Sequence, residues 1–436
     1  MKIGIPALCM IGAVGAFLWA KEGRPGRSPE TSKAQLAKIV GKRLVTGSQE
    51  QTDELKIQYS IDSRMQQTIE QVYKRGGVPF GSLVAIDPRS GQVLAMVSHG
   101  MRGENMALRS SFPAASIFKV VTAAAALEGK KLSHDSLIPV RGSYHTLYKR
   151  NVMAGGGIDP ANSPRHSRLI SFEEALAKSV NSVFGKVGLF GVGSESLRKI
   201  ATRFQFGKQI PLEMPVDVDQ AVVPDDGFGV AESASGYTRQ NTLSPVHGAL
   251  IAAAIANGGV MMEPSVIDRV ISKDGKTDYL FQPTPLATVM EKSTAEELGK
   301  MMHKTITDGT SRRAFNRVDR SVALNDVFIA GKTGTLNGWD PAGRYDWFVG
   351  FAEKEGQKIA VAALCVHGSR YGVKASQVAR AAFEVYFGST IAQDTSDAIQ
   401  RAAHLRGGRH RRRSRRARAA VSYAPPVAAS HSGSGT

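Results

Sequence analysis

The stretch that most constrains this chain is Phe112-Pro113-Ala114-Ala115-Ser116-Ile117-Phe118-Lys119. It opens an almost uniformly apolar helical run, Val120 to Leu127, which Gly129 ends. Lys119 is the anomaly in it. A lysine is almost never fully buried without a partner, because removing its charge from water costs several kcal/mol. Ser116 lies three residues earlier, on the same helix face and about one turn away. Burial pushes an amine towards neutrality, so a hydroxyl meets a candidate base, the pairing that activates a nucleophile.

Hydrophobic content of 42% and charged content of 22% over 436 residues are globular values that support a large core. Cys9 and Cys365 are the only cysteines, so no disulfide framework is expected, and no zinc-type spacing occurs. The net charge of +18 is not a property of the folded part: half of it comes from nine arginines between Arg401 and Arg418, a stretch without acids.

Ile3 to Ala20 are 18 residues without a charge. They are expected to form an N-terminal transmembrane helix, favoured over a cleaved signal peptide. Residues 21–55 are polar and are expected to be a linker with one short helix, Lys33 to Arg43. Asp62 caps a helix carrying Met65, Ile69, Val72 and Tyr73 and ending at Gly76-Gly77. Ser82–Ile86 and Gln92–Val97 flank a turn, Asp87–Gly91, as a β-hairpin. Residues 130–170 are expected to be loops around a site. Helices follow over Phe172–Ala177, capped by Ser171 with Glu174, over Glu195–Phe204, and over Pro245–Ala256, capped by Ser244. Another is capped by Ser293 with Glu296 and runs to Thr307. Three β-runs, Val327–Thr335, Trp347–Ala352 and Ile359–Val366, and a helix, Ser376–Phe387, complete an α+β layout.

Three pieces recur in order: Ser116-x-x-Lys119, Ser179-x-Asn181 and Lys332-Thr333-Gly334-Thr335. This is the motif set of penicillin-binding proteins and their β-lactamase relatives. From about Asp62 to Phe387 the chain resembles the transpeptidase domain of penicillin-binding proteins. The resemblance extends to the hairpin, to Ala256-Asn257-Gly258-Gly259, and to Trp347-Phe348-Val349-Gly350 after the third motif. Ser-x-x-Lys alone is a weak signal. Ser196-Leu197-Arg198-Lys199 also fits it, on an amphipathic helix whose lysine faces water.

The resemblance implies an antiparallel five-stranded sheet flanked by helices, with a helical subdomain, over residues 56–390. It implies that Ser116 attacks an acyl carbonyl, that Lys119 accepts its proton, and that Ser179 passes a proton to the leaving amine. Asn181 would hold the substrate's amide carbonyl. Lys332, Thr333 and Thr335 would bind the terminal carboxylate of a D-alanyl-D-alanine stem peptide, and Gly334 would let a ligand approach the strand. The N–H groups of Ser116 and Thr335 would form the oxyanion hole. The implied activity is peptidoglycan cross-linking through a Ser116 acyl-enzyme, with β-lactams as substrate mimics and with no cofactor or metal. With only about 40 residues between the membrane segment and the fold, no glycosyltransferase activity is expected.

The alternatives are a D,D-carboxypeptidase, in which water is the acceptor, a β-lactamase, and a catalytically silent sensor or scaffold. Against a β-lactamase, no Glu-x-x-Leu-Asn stretch follows Ser179, and Glu213 leads into Met214-Pro215. Two departures from the family pattern stand out. Pro113-Ala114-Ala115 replaces a Pro-Gly-Ser type approach, and Glu232–Thr238 replaces a Gly-rich turn. The expected location is the inner membrane, single-pass, with the domain extracytoplasmic. Residues 391–436 are expected to be a disordered basic tail, a partner for anionic lipid or cell-wall polymer rather than nucleic acid.

Overall fold

Apolar alternation fixes the architecture. In β1 (Phe80–Ile86), Leu83 and Ala85 point to one face and Val84 and Ile86 to the other, and all four are fully buried. A strand buried on both faces must lie in a sheet covered on both sides. The computed structural model describes residues 33–388 apart from 41–46, 53, 102, 154–156, 164–166, 226 and 317–323. The expected membrane segment, Cys9 and the arginine-rich tail lie outside the described residues. Among the described residues no helix is long and apolar enough to cross a membrane.

β1 pairs with β2 (Val93–His99), and later come β3 (Phe328–Trp339), β4 (Ala342–Lys354) and β5 (Gln357–His367). They form one antiparallel sheet in the order β3-β4-β5-β1-β2. The expected five-stranded sheet is therefore present, with β3 on its edge. The last three strands overrun their expected ends because β3 and β4 stay paired out to Trp339 and Ala342.

The helices that frame the sheet and the site, in chain order, are α1 (Ser63–Arg75), α2 (Phe118–Glu128), α3 (Phe172–Ala177), α4 (Asn181–Lys186), α5 (Phe228–Ser235), α6 (Pro245–Ala256), α7 (Lys292–Thr307) and α8 (Ala375–Tyr386). Asp62 caps α1 as expected, accepting from the N–H groups of Arg64 and Met65. α1 and α8 cover the sheet face that carries Leu83, Ala85 and Phe348. α6 covers the other face, and α2 to α5 build the helical subdomain beyond it. α2 is buried from Phe118 to Leu127, and only Glu128 escapes. That carboxylate accepts from the Glu291 N–H at 2.6 Å and from Arg203 at 3.0 Å.

Several expectations are corrected. α7 begins at Lys292 with Glu291 as its N-cap, so Ser293 lies inside the helix and does not cap it. The bond from Glu291 to Glu128, more than 160 residues away, sets that start. Part of the linker is ordered: Gln49–Gln51 and Leu55–Tyr59 join Ile267–Ser272 and Thr277–Leu280 in a four-stranded antiparallel sheet. The short helix ahead of it spans Lys33–Val40, and 41–43 lie outside the described residues. Residues 130–170 are not loops throughout, since Leu137–Val140 pairs with Arg168–Ser171. In the two sheets the partner strand is distant in sequence or too short to show a period.

Candidate active site

The turn that carries Ser116 is held by Trp347, by Asn241 and by its continuation into α2. Ala115–Ile117 form a 3-10 turn that runs directly into α2, which keeps Ser116 and Lys119 nearly eclipsed at i and i+3. Trp347 Nε1 donates to the Pro113 carbonyl at 3.0 Å, and the Ala114 N–H donates to Asn241 O at 2.8 Å. Ala115 has φ 48, a left-handed value costly for a residue with a Cβ. Such strain persists only where surrounding contacts over-determine it. Within 112–124, Ser116 is the one residue that is not buried.

Lys119 is fully buried. Its Nζ lies 2.8 Å from Ser116 Oγ, 2.7 Å from Asn181 Oδ1 and 2.5 Å from the Ser235 carbonyl, with the Phe184 ring 5.7 Å away. Burial drives its pKa well below the ordinary lysine value, and the nearby Lys332 charge adds to that. Two of the three neighbours, an amide oxygen and a carbonyl, are acceptors only. A neutral amine has two N–H groups and one lone pair. Donating to Asn181 and Ser235 leaves the lone pair facing the Ser116 hydroxyl.

The second motif sits in the turn between α3 and α4. Ser179 has φ 58 and is nearly buried, and Asn181 is the first residue of α4. The Asn181 backbone N–H donates to the Tyr144 carbonyl at 2.7 Å and its Nδ2 to the His145 carbonyl at 2.9 Å. These contacts turn Oδ1 towards Lys119. The His145 imidazole is shifted down by burial, then by Lys119 and Lys332.

Lys332 reaches in from β3. It is fully buried, and its Nζ donates to Ser179 Oγ at 2.9 Å and to the Thr333 carbonyl at 2.7 Å. Burial lowers its pKa to about 7. The ammonium thus faces Ser179 rather than the open cleft. Thr333 is half-buried and Thr335 exposed, so their hydroxyls are the accessible part of the third motif. A Cβ at Gly334 would lie 3.3 Å from Ser116 N and Ile117 N. Its bareness therefore lets the strand sit against the turn that carries Ser116, where a ligand's approach to β3 was expected.

The structure brings Ser116, Lys119, Ser179, Asn181, Lys332, Thr333, Gly334 and Thr335 into one cleft between β3 and the helical subdomain. The decoy does not join them: Lys199 lies on the helix Ser194–Arg203, which buries Leu197, Ile200 and Ala201 instead. Three participants were not expected. The Ser235 carbonyl and Gly236 come from the segment noted for departing from the family pattern. Thr310, just after α7, places its hydroxyl 2.5 Å from that of Thr333. Among the described residues there is no cluster of acids, histidines and cysteines able to hold a metal.

The model of the penicillin binding protein transpeptidase domain matches residues 81–384. The chain belongs to this family. Among curated relatives, it is 28% identical over 349 residues to the peptidoglycan D,D-transpeptidase PbpA of Mycolicibacterium smegmatis, covering 71% of this chain and 67% of that one. It is 27% identical to the protein of the same name from Mycobacterium tuberculosis, covering 74% and 71%. Among solved structures, the ceftriaxone acyl-enzyme complex of penicillin-binding protein A from M. tuberculosis superposes with a TM-score of 0.61 at 25% identity, over 76% of this chain and 79% of that one. A D,D-transpeptidase domain from Eggerthella lenta shares the fold with a TM-score of 0.61 at 22% identity, covering 86% and 89%. All four are penicillin-binding or D,D-transpeptidase proteins, as the motif set implied.

Proposed function

We propose that this chain is a peptidoglycan D,D-transpeptidase that works through an acyl-enzyme on Ser116. The observation that carries this reading is the three-way contact of Lys119, which leaves a neutral amine only Ser116 to accept from. In the first half-reaction Ser116 Oγ bonds to the carbonyl carbon of the penultimate D-alanine, and its proton passes to Lys119 Nζ. The C–N bond then breaks, and the departing amine takes a proton from Ser179. Lys332, hydrogen-bonded to Ser179 Oγ, supports that transfer. The N–H groups of Ser116 and Thr335 are proposed to hold the oxyanion. Thr333 and Thr335 bind the terminal carboxylate in the field of Lys332. The free N–H of Asn181 Nδ2 holds the substrate amide. In the second half-reaction an amine from another strand attacks the ester carbonyl and gives a proton to Ser179, the bond to Ser116 Oγ breaks, and that oxygen recovers its proton from Lys119 Nζ as the cross-link forms.

Glu213 is not placed as a deacylating base, which favours this reading over a β-lactamase. It is buried, and accepts from Ser265 Oγ at 2.6 Å and the Val266 N–H at 3.1 Å. Incubation with a reporter penicillin followed by intact mass tests the reading. One stable adduct is expected, absent from Ser116→Ala and retained in Ser196→Ala. An adduct that survives in Ser116→Ala sinks the assignment, and one that decays within seconds points to a hydrolase.

The lysine pair also sets an expected pH profile. Lys119 must be neutral, so kcat/KM rises on the acid side as its lowered pKa is passed. Lys332 is cationic below about 7 and neutral above, so support for the substrate carboxylate falls as pH rises through that value. A donor peptide with a free terminal carboxylate should show both limbs, and its C-terminal amide a shallower alkaline limb, because only the support for Ser179 is then lost. Identical profiles for the two donors would remove Lys332 from carboxylate binding.

Residues 1–20 are proposed to anchor the chain in the inner membrane with the domain on the extracytoplasmic side. The arginines after 400 are proposed to hold anionic lipid or cell-wall polymer. The uncharged run and the arginine density support these readings. Flotation of the full chain with anionic and neutral liposomes, compared with chains lacking 1–20 or 391–436, checks both. Equal flotation of all forms overturns them.

A further inference from the structure

Past Thr335 the cleft continues into a cavity of about 310 Å³ that the chemistry above leaves unused, lined by Tyr237, Thr238, Arg239 and Leu336. Both of its walls are tied to the nucleophile. Tyr237 follows Gly236, which rests against the Ala115 carbonyl and Ser116 N. Leu336 is two residues beyond Gly334 on the same face of β3, and Gly334 abuts Ser116 and Ile117. The cavity therefore begins about 7 Å along the strand from the nucleophile, at two residues' rise.

Arg239 gives the cavity its chemistry. Its guanidinium lies over the Trp339 ring, 4.7 Å from the centre, and its Nε donates to the Asn337 carbonyl at 2.9 Å. Stacking and the Nε bond together fix the guanidinium plane. Its two terminal nitrogens have no hydrogen-bond or ion-pair partner among the described residues. The neighbouring acid, Asp340, is already paired with Arg109 at 2.5 Å. Trp339 is 72% exposed and Arg239 is exposed beside it, so the guanidinium is open to a ligand from solvent.

Direction along the cleft selects the ligand. Lys332 and Thr333, at one end, serve the leaving group and its carboxylate. The Leu336–Trp339 end therefore faces the acyl side of the scissile bond. We propose that this cavity binds a side chain of the acyl donor that ends in a carboxylate. Its aliphatic part lies against Tyr237 and Leu336, and its carboxylate takes the two terminal nitrogens of Arg239, the fork geometry guanidinium favours. The proposal rests on the transpeptidase reading and adds a specificity to it.

The test uses two donor peptides, identical except that one internal side chain ends in a carboxylate or in a carboxamide. D-Alanine release is followed with each. The wild type should favour the acid about tenfold in kcat/KM, mostly through KM, as for one partly exposed charge-assisted contact. Arg239→Gln should reduce that ratio to near one, and Arg239→Lys should restore part of it. A pair of penicillins differing by one side-chain carboxylate gives the same comparison through adduct formation, so slow peptide turnover does not hide the result. Thermal melting confirms that the variants are folded. A ratio of one in the wild type, or a ratio that survives in Arg239→Gln, overturns the subsite while leaving the transpeptidase reading intact. Absence of both D-alanine release and a Ser116 adduct overturns the two together.

Discussion

Lys119→Met is expected to slow acylation of Ser116 by about 10³- to 10⁴-fold, measured as the second-order rate of penicillin labelling, while leaving the protein folded. The magnitude is the upper range of what a positioned general base supplies. It applies here because nothing else touching Ser116 Oγ can take the proton: Lys119 Nζ is its hydrogen-bond partner at 2.8 Å. Lys332, the other amine of lowered pKa, is turned towards Ser179.

Folding should survive because methionine nearly matches lysine in volume and suits an apolar site. The change removes a desolvated amine, which stabilises. It also strips the donor from Asn181 Oδ1 and Ser235 O, a loss of about 1–3 kcal/mol for each buried acceptor left unsatisfied. Lys119→Arg is the sharper control. It keeps a cation that cannot deprotonate, so it should be as slow as Lys119→Met. Labelling within tenfold of wild type in either variant would remove Lys119 as the base.

The parts of this site that were legible in the sequence are those carried by side-chain identity. Ser116 and Lys119 announce themselves through one misplaced charge in an apolar run. Lys332 and Gly334 do so through a short pattern on a strand. What the sequence hid is carried by backbone or by distance. The Ser235 carbonyl orients Lys119, yet every residue type offers a carbonyl, so no letter marks it. Thr310 meets Thr333 only because the end of α7 is pinned: a Cβ at Gly309 would fall 2.4 Å from Ala177 O, and the Thr310 N–H donates to that same carbonyl. The fold divides the same way. β1 and β2 share a hairpin turn and their alternation was readable, whereas Leu55–Tyr59 finds Ile267–Ser272 across two hundred residues. Lys332 shows a subtler limit, because its motif predicted that it matters and only its burial shows which way it points.

Gly236→Ala is expected to cost about 3 kcal/mol or more in stability and to lower the labelling rate about 100-fold, although residue 236 carries no reacting group. Two independent penalties meet there. Its φ of 66 lies in the left-handed region, where a Cβ costs about 1–2 kcal/mol. That Cβ would also fall 1.8 Å from the Ala115 carbonyl oxygen and 3.1 Å from Ser116 N, so backbone has to move. The nucleophile turn has little freedom to yield, with Pro113 O held by Trp347, Ala114 N by Asn241 and Ala115 already at positive φ. Strain of this kind relaxes by displacing Ser116, and about 1 Å of misplacement is enough for a 100-fold loss. Gly77 separates the two penalties: its φ is 65, and nothing lies within 4 Å of the Cβ it would gain. Gly77→Ala should therefore show the conformational cost alone, about 1 kcal/mol by urea denaturation, with labelling unchanged. If Gly236→Ala behaves like Gly77→Ala in both measurements, the contact between α5 and the nucleophile turn does not position Ser116. The Glu232–Thr238 segment would then be a tolerated variation on the family pattern rather than a working part of the site.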